Sequence, residues 1–110
     1  MRNFEKKTLL RIYLSEGDHL HGKPVYEEIV KKARELKLAG ATVLRGLMGF
    51  GVRSHLHSAK ILRLSEDLPV VIEIVDTEES LQLIFPFLDE HAGNALITLE
   101  EVRVPGLLRK

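Results

Sequence analysis

Apolar residues alternate from Thr8 to Leu14, with Leu10, Ile12 and Leu14 on one side and Leu9, Arg11 and Tyr13 on the other, which predicts a strand. Ser15 to Lys23 has turn chemistry, and Pro24 suits a first helical turn because its missing N–H costs nothing there. Tyr26, Ile29, Val30, Ala33 and Leu36 then recur at helical spacing, opposite Glu27, Glu28, Lys31, Lys32, Arg34 and Glu35. Pairs four apart, Glu27 with Lys31 and Glu28 with Lys32, support that helix, and Gly40 is read as its end. Ala41 to Met48 reads as a second strand. Ser54 to Lys60 has no clean period and reads as an excursion, with Ile61 to Leu64 able to resume pairing.

Val70 to Val75, introduced by Leu68-Pro69 and closed by Asp76, is dense in β-branched residues and predicts a third strand. Thr77 is placed to cap a second helix, whose apolar stripe is Leu81, Ile84, Phe85 and Leu88. Pro86 should kink it, since it removes a backbone donor and crowds the carbonyl of Gln82. After the turn His91-Ala92-Gly93-Asn94, Ala95 to Val104 forms a last strand, ended by Pro105-Gly106. The order strand, helix, strand, strand, helix, strand predicts an α+β, ferredoxin-like βαββαβ fold: a four-stranded antiparallel sheet with both helices on one face. The residues 1–110 read as a single domain. Two helices cover one side of such a sheet, so Leu9 or Leu10 and Val71 or Ile72 are left on the other, and an oligomer is expected to bury them.

The 16 basic and 16 acidic residues cancel, which argues against a duplex nucleic-acid surface. No cysteine is present, so disulfides and thiolate metal sites are excluded. No apolar run approaches membrane-spanning length; no membrane insertion is expected, and a cytoplasmic protein is the default.

Candidate chemistry concentrates in Arg45-Gly46-Leu47-Met48-Gly49-Phe50-Gly51-Val52-Arg53, where a strand runs into three glycines. Without a Cβ, Gly49 and Gly51 can take positive φ and turn bare amides toward an anion, with Arg53 just beyond. Glu73, the one charge inside an apolar strand, needs a partner, for which Arg11 or Arg45 is available. Glu16 and Asp18 read as turn carboxylates. No nucleophile with a perturbing partner is found, so an enzyme is not expected. The pairs His19/His21 and His55/His57 offer an alternative, a metal-binding trimer shaped like divalent-ion tolerance proteins.

Gly49-Phe50-Gly51, followed by a loop and then Leu68-Pro69-Val70-Val71-Ile72-Glu73-Ile74-Val75, resembles the PII (GlnB-type) nitrogen-regulatory proteins, which carry a GFG at the base of a long loop before a related strand. Leu10 to Asp18, with His21-Gly22-Lys23-Pro24-Val25-Tyr26, resembles the uncharacterised small PII-like family of bacteria and archaea. The resemblance implies a homotrimer with an adenine nucleotide in each cleft between subunits. In that cleft Gly51 and Val52 would offer amides, Arg53 a charged fork, and Met48 or Phe50 a surface for the base. Gly93, Asn94 and Arg103 would come from the neighbouring subunit. PII proteins have a lysine where Asn94 stands and two arginines where only Arg103 remains, so AMP or ADP is expected over ATP. No cofactor is implied beyond this ligand. The resemblance also implies signalling through the loop after Gly51 to an unidentified protein target, such as a transporter or channel. The excursion has no tyrosine before Pro69, so uridylylation does not carry over.

Overall fold

The computed structural model describes residues 3–50 and 68–106. Strand β1 (Phe4–Ser15) is followed by the two-residue strands β2 (His19–Leu20) and β3 (Lys23–Pro24), helix α1 (Val25–Glu35) and strand β4 (Thr42–Arg45). Strand β5 (Pro69–Asp76), helix α2 (Glu78–Leu81), a 3₁₀ turn (Gln82–Ile84), helix α3 (Phe85–His91) and strand β6 (Leu96–Pro105) complete the order. The main sheet runs β4-β5-β1-β6 and its pairings are antiparallel. This is the expected ferredoxin-like arrangement, with β1 and β5 at its centre.

Register settles which apolar residues face the helices. Leu10 pairs with Ile74 and Ile12 with Ile72, and all four are buried beneath Val25, Ile29 and Ala33 of α1 and Leu81, Ile84 and Leu88 of the second helical segment. Each fully buried Leu or Ile contributes about 1.5–3 kcal/mol relative to exposure, so these rows dominate the favourable term. The alternate row, with Leu9 opposite Val75 and Tyr13 opposite Val71, faces away from the helices; Tyr13 and Val75 remain exposed there. Leu9 of that row is nevertheless buried and Val71 half-buried, so the apolar surface that the row leaves open in a single chain is that of Tyr13 and Val75.

Several boundaries differ from the periodicity. The loop before α1 contains the β2–β3 hairpin, turned by His21 (φ 52°) and Gly22 (φ 79°), and Pro24 stands at the cap position instead of inside the helix. Helix α1 stops at Glu35, before Gly40: Lys37 takes φ 62°, its N–H donates to the Arg34 carbonyl, and the Leu38 N–H donates to the Ala33 carbonyl. Those two bonds make a Schellman stop with lysine in the position usually given to glycine. Strand β4 is shorter than Ala41 to Met48 because its partner begins at Pro69, which has no N–H to continue the ladder. The kink expected at Pro86 appears as the 3₁₀ turn one turn upstream. Thr77 caps α2 as expected, its Oγ1 accepting from the Ser80 N–H at 3.1 Å. Asp76 fastens the neighbourhood, accepting from the Ala39 and Thr77 amides at 2.9 and 2.7 Å.

Two substitutions should move stability in opposite directions. Lys37→Gly removes the left-handed penalty of a side chain and should stabilise by about 0.5–1 kcal/mol. Thr77→Ala, by losing the cap, should destabilise by about 1 kcal/mol. Urea denaturation of both variants checks the pair, and a destabilised Lys37→Gly would contradict the helix stop described above.

Candidate functional site

At one end of the sheet the chain closes over the joint between Leu68 and Pro69. The Glu16 N–H donates to the Leu68 carbonyl at 2.7 Å, and the Gly46 N–H donates to the Pro69 carbonyl at 2.7 Å. A Cβ on Gly46 would lie 2.8 Å from Pro69 Cγ, and one on Gly49 would lie 3.2 Å from the same atom. These glycines are therefore required for close approach to a proline ring. Among the described residues the positive-φ glycines are Gly22 and Gly40, so the positive φ expected at Gly49 is not adopted. Packing against Pro69, not a left-handed turn, explains this glycine.

With the elbow held from beneath, its side chains point outward. Met48 is 72% exposed and Phe50 74%. Two large apolar groups turned to solvent beside a tightly packed backbone form a candidate contact surface. Gly51, Val52 and Arg53, together with His55 and His57, lie outside the described residues.

Charges beside and behind this elbow are paired by register. Arg11 stands directly opposite Glu73, and its Nε donates to Glu73 Oε2 at 3.0 Å while Nη1 donates to Glu100 Oε1 at 3.0 Å. The hydrogen bond to Glu73 holds the Arg11 guanidinium above its ordinary pKa, against partial desolvation. Arg45 cannot serve Glu73, because it pairs with Val70 in register and so falls on the opposite face of the sheet. It instead donates from Nη2 to Glu16 Oε2 at the elbow. The other oxygen of that carboxylate, Oε1, is buried and has no hydrogen-bond partner among the described residues. The sequence treats Glu16 as a turn residue, and only its seat against the Leu68–Pro69 joint distinguishes it from any loop glutamate.

The remaining expected residues lie elsewhere. Gly93 and Asn94 follow α3 and line a cleft of about 320 Å³, together with Leu14, Val25, Asp18, His19, Glu90 and His91. Four ionisable groups in that cleft were not singled out together from the sequence, since two distant chain segments supply them. This cleft shares the elbow's end of the sheet, but β6 and β4 are opposite edges, three strand spacings or about 14 Å apart. Arg103 is opposite Lys6, roughly 23 Å along β6 from Leu96, with its guanidinium 5.1 Å from the centre of the Phe4 ring. Among the described residues, one chain does not bring the expected nucleotide contacts together. As for a metal, His19 Nδ1 lies 2.6 Å from the Gly17 carbonyl, and among the described residues no group of three or more His, Cys, Asp or Glu is arranged to hold an ion. Among them, too, no helix is long and apolar enough to cross a membrane.

Comparison with known proteins places the chain in a family and its fold among known structures. The model of a family described as DUF190, Uncharacterized ACR, matches residues 7–104. A UPF0166 protein of Aquifex aeolicus is 45% identical over 101 residues, covering 90% of this chain and 93% of that protein. Another from Methanocaldococcus jannaschii is 41% identical over 100 residues, covering 90% and 92%. Among solved structures, a putative PII-like signaling protein of Thermus thermophilus superposes with a TM-score of 0.65 at 19% identity, over 93% of this chain and 92% of that one. CPII of Thiomonas intermedia K12, a nitrogen regulatory PII-like protein, does so in its apo form with a TM-score of 0.63 at 16% identity, over 97% and 100%. The same protein bound to ADP, AMP and bicarbonate gives 0.63 at 17% identity, over 93% and 91%. The fold is thus that of PII-like proteins.

The packing at the elbow is directly testable. Gly46→Ala should destabilise by about 1–3 kcal/mol through overpacking, and Gly49→Ala by less. Adding Pro69→Ala should recover most of the Gly46→Ala loss in a double-mutant cycle followed by thermal melts. Strict additivity would mean that the two residues do not meet.

Proposed function

The chain belongs to the DUF190 family, and from that premise we propose that it is a PII-like regulatory protein which binds an adenine nucleotide in clefts between the subunits of a homotrimer. The observation that carries the reading is the likeness of the whole fold to CPII, a protein solved with ADP and AMP bound. Two features of this chain support it. The elbow presents Met48 and Phe50 to solvent over a rigid backbone, which suits stacking of a base. The other expected contacts are dispersed in one chain, Gly93 with Asn94 at the opposite edge of the sheet from the elbow and Arg103 toward its other end, a distribution that suits a site built from two copies.

In this reading Gly51 and Val52 donate amides to phosphate and Arg53 supplies a guanidinium fork. Across the subunit boundary Gly93 lets the backbone approach, while Asn94 adds a polar contact without charge and Arg103 is the one cation brought by that segment. A site so furnished neutralises a short phosphate chain better than a triphosphate, so AMP or ADP is favoured over ATP. The exposed Tyr13 and Val75 of the outer row are buried against the other copies. The output is a binding event reported through the loop after Gly51 to a protein target, with no chemical turnover and no cofactor.

Calorimetric titration of the purified protein with AMP, ADP and ATP tests the ligand. AMP or ADP should bind at least about tenfold tighter than ATP, and Gly51→Leu should abolish binding. Light scattering should give three times the 12.5 kDa of one chain. A clear preference for ATP overturns the charge argument, and a monomer overturns the shared site.

A further inference from the structure

Register sets the charges of the sheet against neutral or opposite partners, with one departure. Among the described strands, Lys6 against Arg103 is the pair in which two like charges stand directly opposite each other. Charges so placed repel and weaken the pairing of their strands. Both residues share the face of Leu10, on the side of the helices, toward the end of the β1–β6 ladder. Arg103 is held there by an aromatic ring, its guanidinium lying 5.1 Å from the centre of Phe4. The contact of Lys6 with Glu101 is looser. Its Nζ lies 3.8 Å from Oε2, between side chains that are 79% and 69% exposed. That is longer than a hydrogen bond and open to exchange for a better anion.

The arrangement is thus a guanidinium fixed by a ring with a mobile ammonium beside it. The Cβ atoms of directly opposite residues are about 4.5–5.5 Å apart, so both heads can reach the same phosphate chain. A guanidinium grips phosphate as a planar fork and an ammonium as a point charge, and an anion between them turns their repulsion into two attractions.

Resting on the nucleotide reading above, we propose that Lys6 is a specificity-determining residue that joins Arg103 in binding the nucleotide's phosphates across the subunit boundary, with Phe4 as the positioning residue for Arg103. Within β6 Arg103 is the one cation, and Lys6 on the adjoining strand adds the charge that answers a further phosphate. The nucleotide so selected is ADP rather than AMP. Lys7 cannot take this part, because alternation puts it on the outer face, where its Nζ lies 3.5 Å from Glu5 Oε1.

The experiment is a calorimetric titration of the wild-type protein, Lys6→Gln, Lys6→Arg and Phe4→Leu with adenosine, AMP and ADP. On the wild type, ADP should bind about tenfold tighter than AMP. Lys6→Gln should weaken ADP about 10–100-fold and AMP by less, leaving adenosine unchanged. Lys6→Arg, which keeps the charge, should restore the preference for ADP. Phe4→Leu should weaken ADP about 2–5-fold by releasing the guanidinium. Thermal melts without ligand separate this role from a structural one: Lys6→Gln removes a like-charge repulsion and should melt at or above the wild-type temperature. Equal affinity of the wild type for AMP and ADP overturns the assignment while leaving the nucleotide site in place. So does an ADP affinity unchanged in Lys6→Gln, or a loss that adenosine shares. If adenosine, AMP and ADP all fail to bind the wild type, the nucleotide reading falls and the role of Lys6 falls with it.

Discussion

The pairing of β1 with β5 is the constraint from which the rest of the molecule follows. Because side chains alternate along a strand, the register that sets Leu10 against Ile74 and Ile12 against Ile72 also sets Arg11 against Glu73. A slip of one residue would drive that arginine beneath the helices and expose the isoleucines, exchanging a dry core for a desolvated charge. The ion pair on the outer face and the apolar rows on the inner face thus specify the same alignment. Glu100 on β6 reaches the same guanidinium and ties the third strand into it.

From that alignment comes the position of the elbow. Strand β5 begins at a proline, and the segment after β4 must pass close to its ring; glycine at 46 and 49 is what permits the approach. Met48 and Phe50, beside that contact, are exposed. A surface of this kind is made by backbone packing, and its side chains are free for a partner. The residue at the base of the packing, Glu16, is held by main chain on one side and by Arg45 on the other.

Residues expected to serve one ligand are spread over both edges of the sheet and both of its ends. In a single chain this is dispersal. In a symmetric assembly an edge of one copy meets another surface of its neighbour, and a site completed only by association couples ligand binding to subunit arrangement. The uncovered row on the outer face gives such an assembly an apolar reason to form, independent of any ligand.

Local patterns alone determined a great deal here. Strands 70–75 and 8–14, the amphipathic helix from Tyr26, the Thr77 cap and the break before Pro86 all depend on nearest neighbours and on periods of two or 3.6, which a sequence displays directly. The letters around Gly49 also carried the family likeness. Tertiary structure decided what depends on distant partners: that Leu10 and not Leu9 faces the helices, that Arg11 and not Arg45 answers Glu73, and that Gly49 accommodates Pro69. It decided as well that Lys37 ends α1 in place of Gly40. The buried Oε1 of Glu16, without a partner among the described residues, is the plainest case, since burial is a property of everything that packs around an atom and no stretch of chain encodes it alone.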